Sequence, residues 1–170
     1  KIEFLLNQAK DREYTSYLKE IDNASREYKL NKIDLKKYLG FLFQKVIQNN
    51  LSLDEFEDIN RLYAVLEMEE ELDTEKANTQ RKFLISELEN SVSKNSLKEL
   101  VNKSVEYSLK KISGSDYYEY LFQLANQYGI SLSKYAELDK YRRYTTLYQG
   151  VDQFNIVNEL ENLKEAIKDV

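Results

Sequence analysis

The chain has no cysteine, histidine, proline or tryptophan, and only four glycines in 170 residues. Without cysteine no disulfide can form, so the compartment is left open. Neither thiolate nor imidazole is available to ligate a metal or to move protons near neutral pH, and no cofactor or metal site is expected. The lack of proline and the scarcity of glycine remove the two residues that interrupt helices most effectively. No apolar run approaches the roughly 18 residues of a membrane span, so no membrane insertion is expected. There is no glycine-rich phosphate loop and no G-x-S-x-G elbow. Nothing singles out one catalytic pair among the 30 acidic residues, and the chain reads as non-enzymatic.

What is present is a repeat. Residues 18–56 recur without a gap as residues 97–135, an offset of 79. Leu18/Leu97, Lys19/Lys98, Glu20/Glu99, Asn23/Asn102, Ser25/Ser104, Glu27/Glu106, Tyr28/Tyr107, Leu30/Leu109, Lys32/Lys111 and Ile33/Ile112 agree. So do Tyr38/Tyr117, Leu42/Leu121, Phe43/Phe122, Gln44/Gln123, Gln48/Gln127, Ser52/Ser131 and Leu53/Leu132. Unrelated segments of this length would share about two or three residues, so the sequence is read as a tandem duplication.

Apolar spacings of three, four and seven predict helices throughout. A first stripe runs through Ile2, Leu5, Leu6, Ala9, Tyr14, Tyr17, Leu18, Ile21 and Tyr28. Asp34 is placed to cap a second helix from Leu35 to Gln48, and Asn49-Asn50 to turn the chain. Ser52-Leu53-Asp54-Glu55 and Ser96-Leu97-Lys98-Glu99 read as capping boxes, and Ser131 as the cap of the last helix of the second copy. Residues 73–82 hold only Ala77 as an apolar group, and with no strong breaker a continuous or nearly continuous helix is expected across them. The chain begins at Lys1 inside a helical pattern and without methionine, and reads as a domain excised from a longer protein or as a processed product.

The fold expected is all-α: a tandem duplication of a three-helix unit plus a C-terminal amphipathic helix, with long antiparallel helices in a bundle or short solenoid. The boundaries are residues 1–73 for the first unit, 74–82 for a polar helical connector, 83–152 for the second unit and 153–170 for the final helix. In that helix Ile156, Leu160, Leu163, Ile167 and Val170 step 4, 3, 4, 3, an a/d seam suited to self-association, so a homodimer is one expectation.

Charge is uneven within a net of −5. Residues 49–79 carry two Lys/Arg against ten Asp/Glu, and no long basic tract offsets them, so nucleic acid is not an expected partner. The third helices of the two copies share no residue, which makes them the place to look for what is specific to each. In copy one that surface is acidic, with Glu67, Glu70 and Glu71. Successive glutamates on a helix point in different directions, so they read as a solvated face able to meet a basic partner and not as a metal site. In copy two it is Tyr135, Tyr141, Arg142, Arg143, Tyr144 and Tyr148, the composition of interface hot spots. Tyr141 and Tyr148 are read as sharing a face, with Tyr144 and Arg143 pointing elsewhere. The leading reading is a protein–protein interaction or scaffold module. The alternative is a ligand-sensing bundle holding a small molecule near Tyr117, Tyr118 and Tyr141.

Overall fold

The computed structural model describes residues 14–169. Ile2, Leu5, Leu6 and Ala9 of the first predicted stripe, and Val170 of the last, lie outside the described residues. Among the described residues every regular element is helical: α1 Ser16–Lys29, α2 Leu35–Gln48, α3 Glu57–Glu71, α4 Thr74–Ser91, α5 Lys94–Ser108, α6 Gly114–Gln127, a 3₁₀ turn Leu132–Tyr135, α7 Ala136–Gln149 and α8 Gln153–Lys168. No helix among them is long and apolar enough to cross a membrane.

Local chemistry sets most of the boundaries. Asp34 caps α2 by accepting from the Lys37 amide at 2.7 Å, and Ser113 caps α6 by accepting from Asp116 at 3.0 Å. Leftward-turning residues close the helices before these caps and after them: Asn31 and Asn50 have φ of 54° and 53°, and Lys110 and Gly129 have 56° and 68°. Asparagine tolerates that region through its short polar side chain, and glycine because it has no Cβ.

Four boundaries differ from the sequence reading. Ser52 accepts from the Asp54 amide at 3.0 Å in a local turn, and α3 begins only at Glu57, so no capping box forms there. Ser93, not Ser96, caps α5; the Ser96 hydroxyl lies 2.8 Å from that of Tyr128. Ser131 makes no cap bond and leads into the 3₁₀ turn. The chain also breaks at Leu72-Asp73, because the Asp73 side chain accepts from the Lys76 amide at 2.9 Å and starts a new helix without needing a glycine or proline. Residues 74–82 are instead the first half of α4, whose Ala77, Leu84 and Leu88 are buried.

The chain divides into two compact units. One comprises the described residues up to Tyr63 together with those from Asp152 onward; the other is Ala64–Val151. The first therefore holds α1, α2, the opening of α3 and α8. Its core includes Ile21, Tyr38, Leu42, Ile59, Leu163 and Ile167. The second holds the remainder of α3 and α4 to α7, with a core that includes Leu84, Leu88, Leu100, Tyr117, Leu121 and Leu138. Each full burial of such a side chain contributes about 1.5–3 kcal/mol.

The two cores use positions separated by the same 79 residues as the sequence repeat. Ile21, Tyr38, Leu42 and Ile59 stand 79 before Leu100, Tyr117, Leu121 and Leu138, and Leu163 and Ile167 stand 79 after Leu84 and Leu88. The polar detail corresponds too. Ser25 and Tyr38 hydroxyls are 2.8 Å apart and the Tyr28 and Tyr38 rings stack at 4.8 Å; Ser104 and Tyr117 hydroxyls are 3.0 Å apart and the Tyr107 and Tyr117 rings stack at 4.3 Å.

Each unit is clasped by two helix ends that cap one another. In the first, Glu159 of α8 accepts from the Ile59 amide of α3 at 2.9 Å, while Asp58 of α3 accepts from the Asp152 amide at the start of α8, also at 2.9 Å. In the second, Gln80 of α4 accepts from the Leu138 amide of α7 at 2.8 Å, and Glu137 of α7 accepts from the Asp73 amide at the start of α4 at 3.0 Å. These bonds occupy amides that a helix leaves without an internal partner. The helix completing the first unit is thus the last one in the chain.

Candidate binding site

Helix α7 carries Tyr141, Tyr144 and Tyr148. Spacings of three and four place them on one face, since three residues turn about 300° and four about 400°. The Tyr141 and Tyr144 centroids are 6.0 Å apart, and Tyr144 stacks on Tyr148 at 6.0 Å with 25° between the planes. Tyr144 thus belongs to the ladder, correcting the expectation that it points elsewhere. Inward, the Tyr141 ring meets Tyr118 edge-on at 5.0 Å, and Tyr118 meets Tyr117 edge-on at 5.5 Å. The array runs from buried Tyr117 and Tyr118 to Tyr148, which is 56% exposed.

Beside the inner end of this array lies an open pocket of about 330 Å³, lined by residues that include Glu75, Asn78, Arg81, Tyr107, Tyr118 and Tyr141. The Arg81 Nη2 donates to the Asn78 side-chain oxygen at 2.6 Å, while its Nε is buried without a partner. Burial, and then the bond to Tyr107, push the Tyr118 phenol upward; burial and the neighbouring Tyr107 do the same to Tyr141. Both are therefore hydroxyl donors at any ordinary pH. Tyr118 and Tyr141 both line this pocket, whereas Tyr117 does not and is buried. Arg81 and Tyr107 were missed: an arginine in a polar run has no sequence signal that separates it from a solvated one.

The other residues singled out fall into different roles. Tyr135 is buried and donates to Glu87 at 2.6 Å, and burial followed by this bond pushes its phenol up to about 12. Arg142 binds Glu119 at 2.7 Å and Asp139 at 2.9 Å and lies over the Phe122 ring, and Arg143 binds Asp139 through Nε at 2.9 Å. The two guanidinium groups are held by this chain's own acids. Glu67, Glu70 and Glu71 are exposed at the end of α3, and no cluster suited to a metal ion exists among the described residues. In the final helix Leu163 and Ile167 have no exposed surface and Ile156 and Leu160 are half-buried. The seam predicted for self-association is therefore largely filled by its own unit.

A surface that the sequence reading passed over is on α5. Val101, Val105 and Leu109 recur every fourth residue and are 52%, 50% and 59% exposed. Lys94, Lys98, Lys110 and Lys111 are exposed along the same segment.

The acid pairs make stability in the second unit sensitive to pH. Burial acts to raise the Asp139 carboxyl, but the bonds from Arg143 and Arg142 outweigh it and hold it below the ordinary 3.8. Lys134, then Tyr135, hold Glu87 below 4.5. A carboxyl depressed in the folded state contributes stability above its unfolded pKa and loses it as pH falls through the folded value. Denaturation midpoints of this unit are expected to be level near neutrality and to drop below about pH 4. The Asp139→Asn variant should start lower and fall less steeply; an acid limb identical to that of the wild type would remove Asp139 from the account.

No protein-family model, curated protein or solved structure matches the chain.

Proposed function

We propose that the protein is a non-enzymatic helical interaction module built from two copies of one four-helix plan, and that the second copy docks an acidic amphipathic helix of another protein. The observation carrying this reading is the exposed stripe of Val101 and Val105 on α5 and Leu109 at its C-cap. Single exposed apolar residues need no explanation, but two in register on one helix face with a third at the helix end form the pattern that an i, i+4 helix-in-groove partner meets. At the corresponding positions 79 residues earlier stand Asp22, Arg26 and the equally exposed Leu30, so Leu109 belongs to the shared plan whereas Val101 and Val105 do not.

Charge favours an acidic partner. Residues 94–111 hold Lys94, Lys98, Lys103, Lys110 and Lys111 against Glu99 and Glu106, a local surplus of three positive charges in a chain of net charge −5. A second copy laid along the same stripe in either direction would bring lysines against lysines, which makes self-association through α5 unfavourable. The absence of histidine and cysteine supports binding over catalysis.

A photoreactive residue introduced at position 105, in cells that make the protein, tests this. The expected result is a crosslink to a different protein through an acidic helical segment, with none from the same residue placed at position 26. No crosslink at 105 above that at 26, or a crosslink to a second copy of this chain, would contradict it.

A further inference from the structure

We infer that the pocket between α4, α5, α6 and α7 takes a small monocarboxylate, with Arg81 as its counter-charge and the tyrosine rings against its apolar body. This site is independent of the α5 stripe. Its cationic wall is incomplete as it stands: Arg81 donates from Nη2 to Asn78 at 2.6 Å, yet its Nε is buried and has no acceptor. A buried donor without a partner costs free energy, and a turn of the guanidinium toward a bound carboxylate would give it an acceptor. Guanidinium is also the group whose fork matches a carboxylate.

The remaining lining defines the ligand further. Tyr107, Tyr118 and Tyr141 present three phenols, with the Tyr107 and Tyr118 hydroxyls 3.4 Å apart, a distance that leaves both free to turn to a better acceptor. These groups offer protons to an anion and aromatic surface to its body. Glu75 lines the same pocket, so a dianion such as phosphate meets a like charge that a single carboxylate can avoid by facing Arg81. A volume of about 330 Å³ suits a small molecule.

Packing alone does not call for these residues. The positions 79 residues from Arg81, Tyr118, Tyr141 and Asn78 hold Leu160, Leu39, Leu62 and Val157. The first unit, built on corresponding core positions, therefore manages with aliphatic groups where the second has a cation, two phenols and an amide. The polar set is specific to one unit, as expected of a site and not of a scaffold.

The test is an NMR titration of the full 170-residue chain with sodium benzoate, with benzyl alcohol and inorganic phosphate as comparison probes. Benzoate is expected to saturate with a dissociation constant on the order of 1 mM. Its shifts should be confined to the first half of α4 and the rings of Tyr107, Tyr118 and Tyr141. Arg81→Gln should weaken it at least tenfold, and Tyr141→Phe, which keeps the ring and removes one donor, by about threefold. Both variants should retain the wild-type amide spectrum away from the pocket. If Arg81→Gln disturbs the fold, Tyr141→Phe and the probe comparison still decide. Benzyl alcohol or phosphate binding as well as benzoate, unchanged affinity in the folded variants, or no saturable shift with wild-type protein would each overturn the assignment.

Discussion

Replacing Leu163 with alanine is expected to destabilise the unit that contains it by about 2–5 kcal/mol, the range for truncating a large aliphatic side chain in a packed core. Leu163 has no exposed surface, and it lies on α8 one turn before Ile167, equally buried. The loss combines transfer of the missing carbons with the cavity they leave. It should appear as a lower denaturant midpoint for the helices packed on α8, without a change in sedimentation. The opposite pattern, intact stability with loss of a dimer, is what a self-association seam requires. Lysine at the same position should be worse than alanine, since a charge would then have to be buried without a partner. Circular dichroism is the suitable probe for the melt, because the chain has no tryptophan.

Removing the Asp58 carboxylate should be the next most damaging change outside the apolar core. Asp58 is 7% exposed, and its oxygens accept from the Asp152 amide at 2.9 Å, the Asn155 side chain at 3.3 Å and Arg61 at 3.2 Å. Asp58→Ala takes the acceptor from the Asp152 amide and the Asn155 side chain, an expected cost of about 1–3 kcal/mol. Asp58→Asn retains an acceptor and should cost less. Glu159 works on the same joint from the other side, so Asp58→Ala and Glu159→Ala together should cost less than the sum of the two alone, once the first has loosened the start of α8. Strict additivity in a double-mutant cycle would mean the two caps act separately.

The joint also explains what the sequence could and could not convey. Helix α2 was legible to the residue because Asp34 carries its cap locally, close in sequence to the Lys37 amide it satisfies. The start of α3 was not. Its first-turn amides are met by Glu159, a hundred positions on, so no local window contains the signal, and Ser52 offered a capping-box pattern that the chain uses for a turn. The break at Leu72-Asp73 was missed for a related reason: an aspartate cap ends one helix and begins the next without any breaker.

Periodicity in α8 identified the face that is buried but not what buries it. An a/d step is the same whether the neighbour belongs to this chain or to another. Of the tyrosines singled out in the sequence, Tyr118 on α6 and Tyr141 on α7 line the pocket, yet composition could not distinguish arginines already paired with Asp139 and Glu119 from free ones. Arg81 was invisible because its neighbours in sequence are polar and only the fold brings the tyrosines to it.

The final helix completes the unit formed by α1 and α2. The most direct measurement is amide hydrogen exchange on a chain ending at Val151, compared with the whole chain. Deletion of α8 is expected to abolish slow exchange in α1 and α2, which lose Leu163, Ile167 and the bond from the Tyr17 hydroxyl to the Ile167 carbonyl, while α5 and α6 keep their protection. Slow exchange surviving in α1 and α2, with loss instead in α5 and α6, would contradict the account.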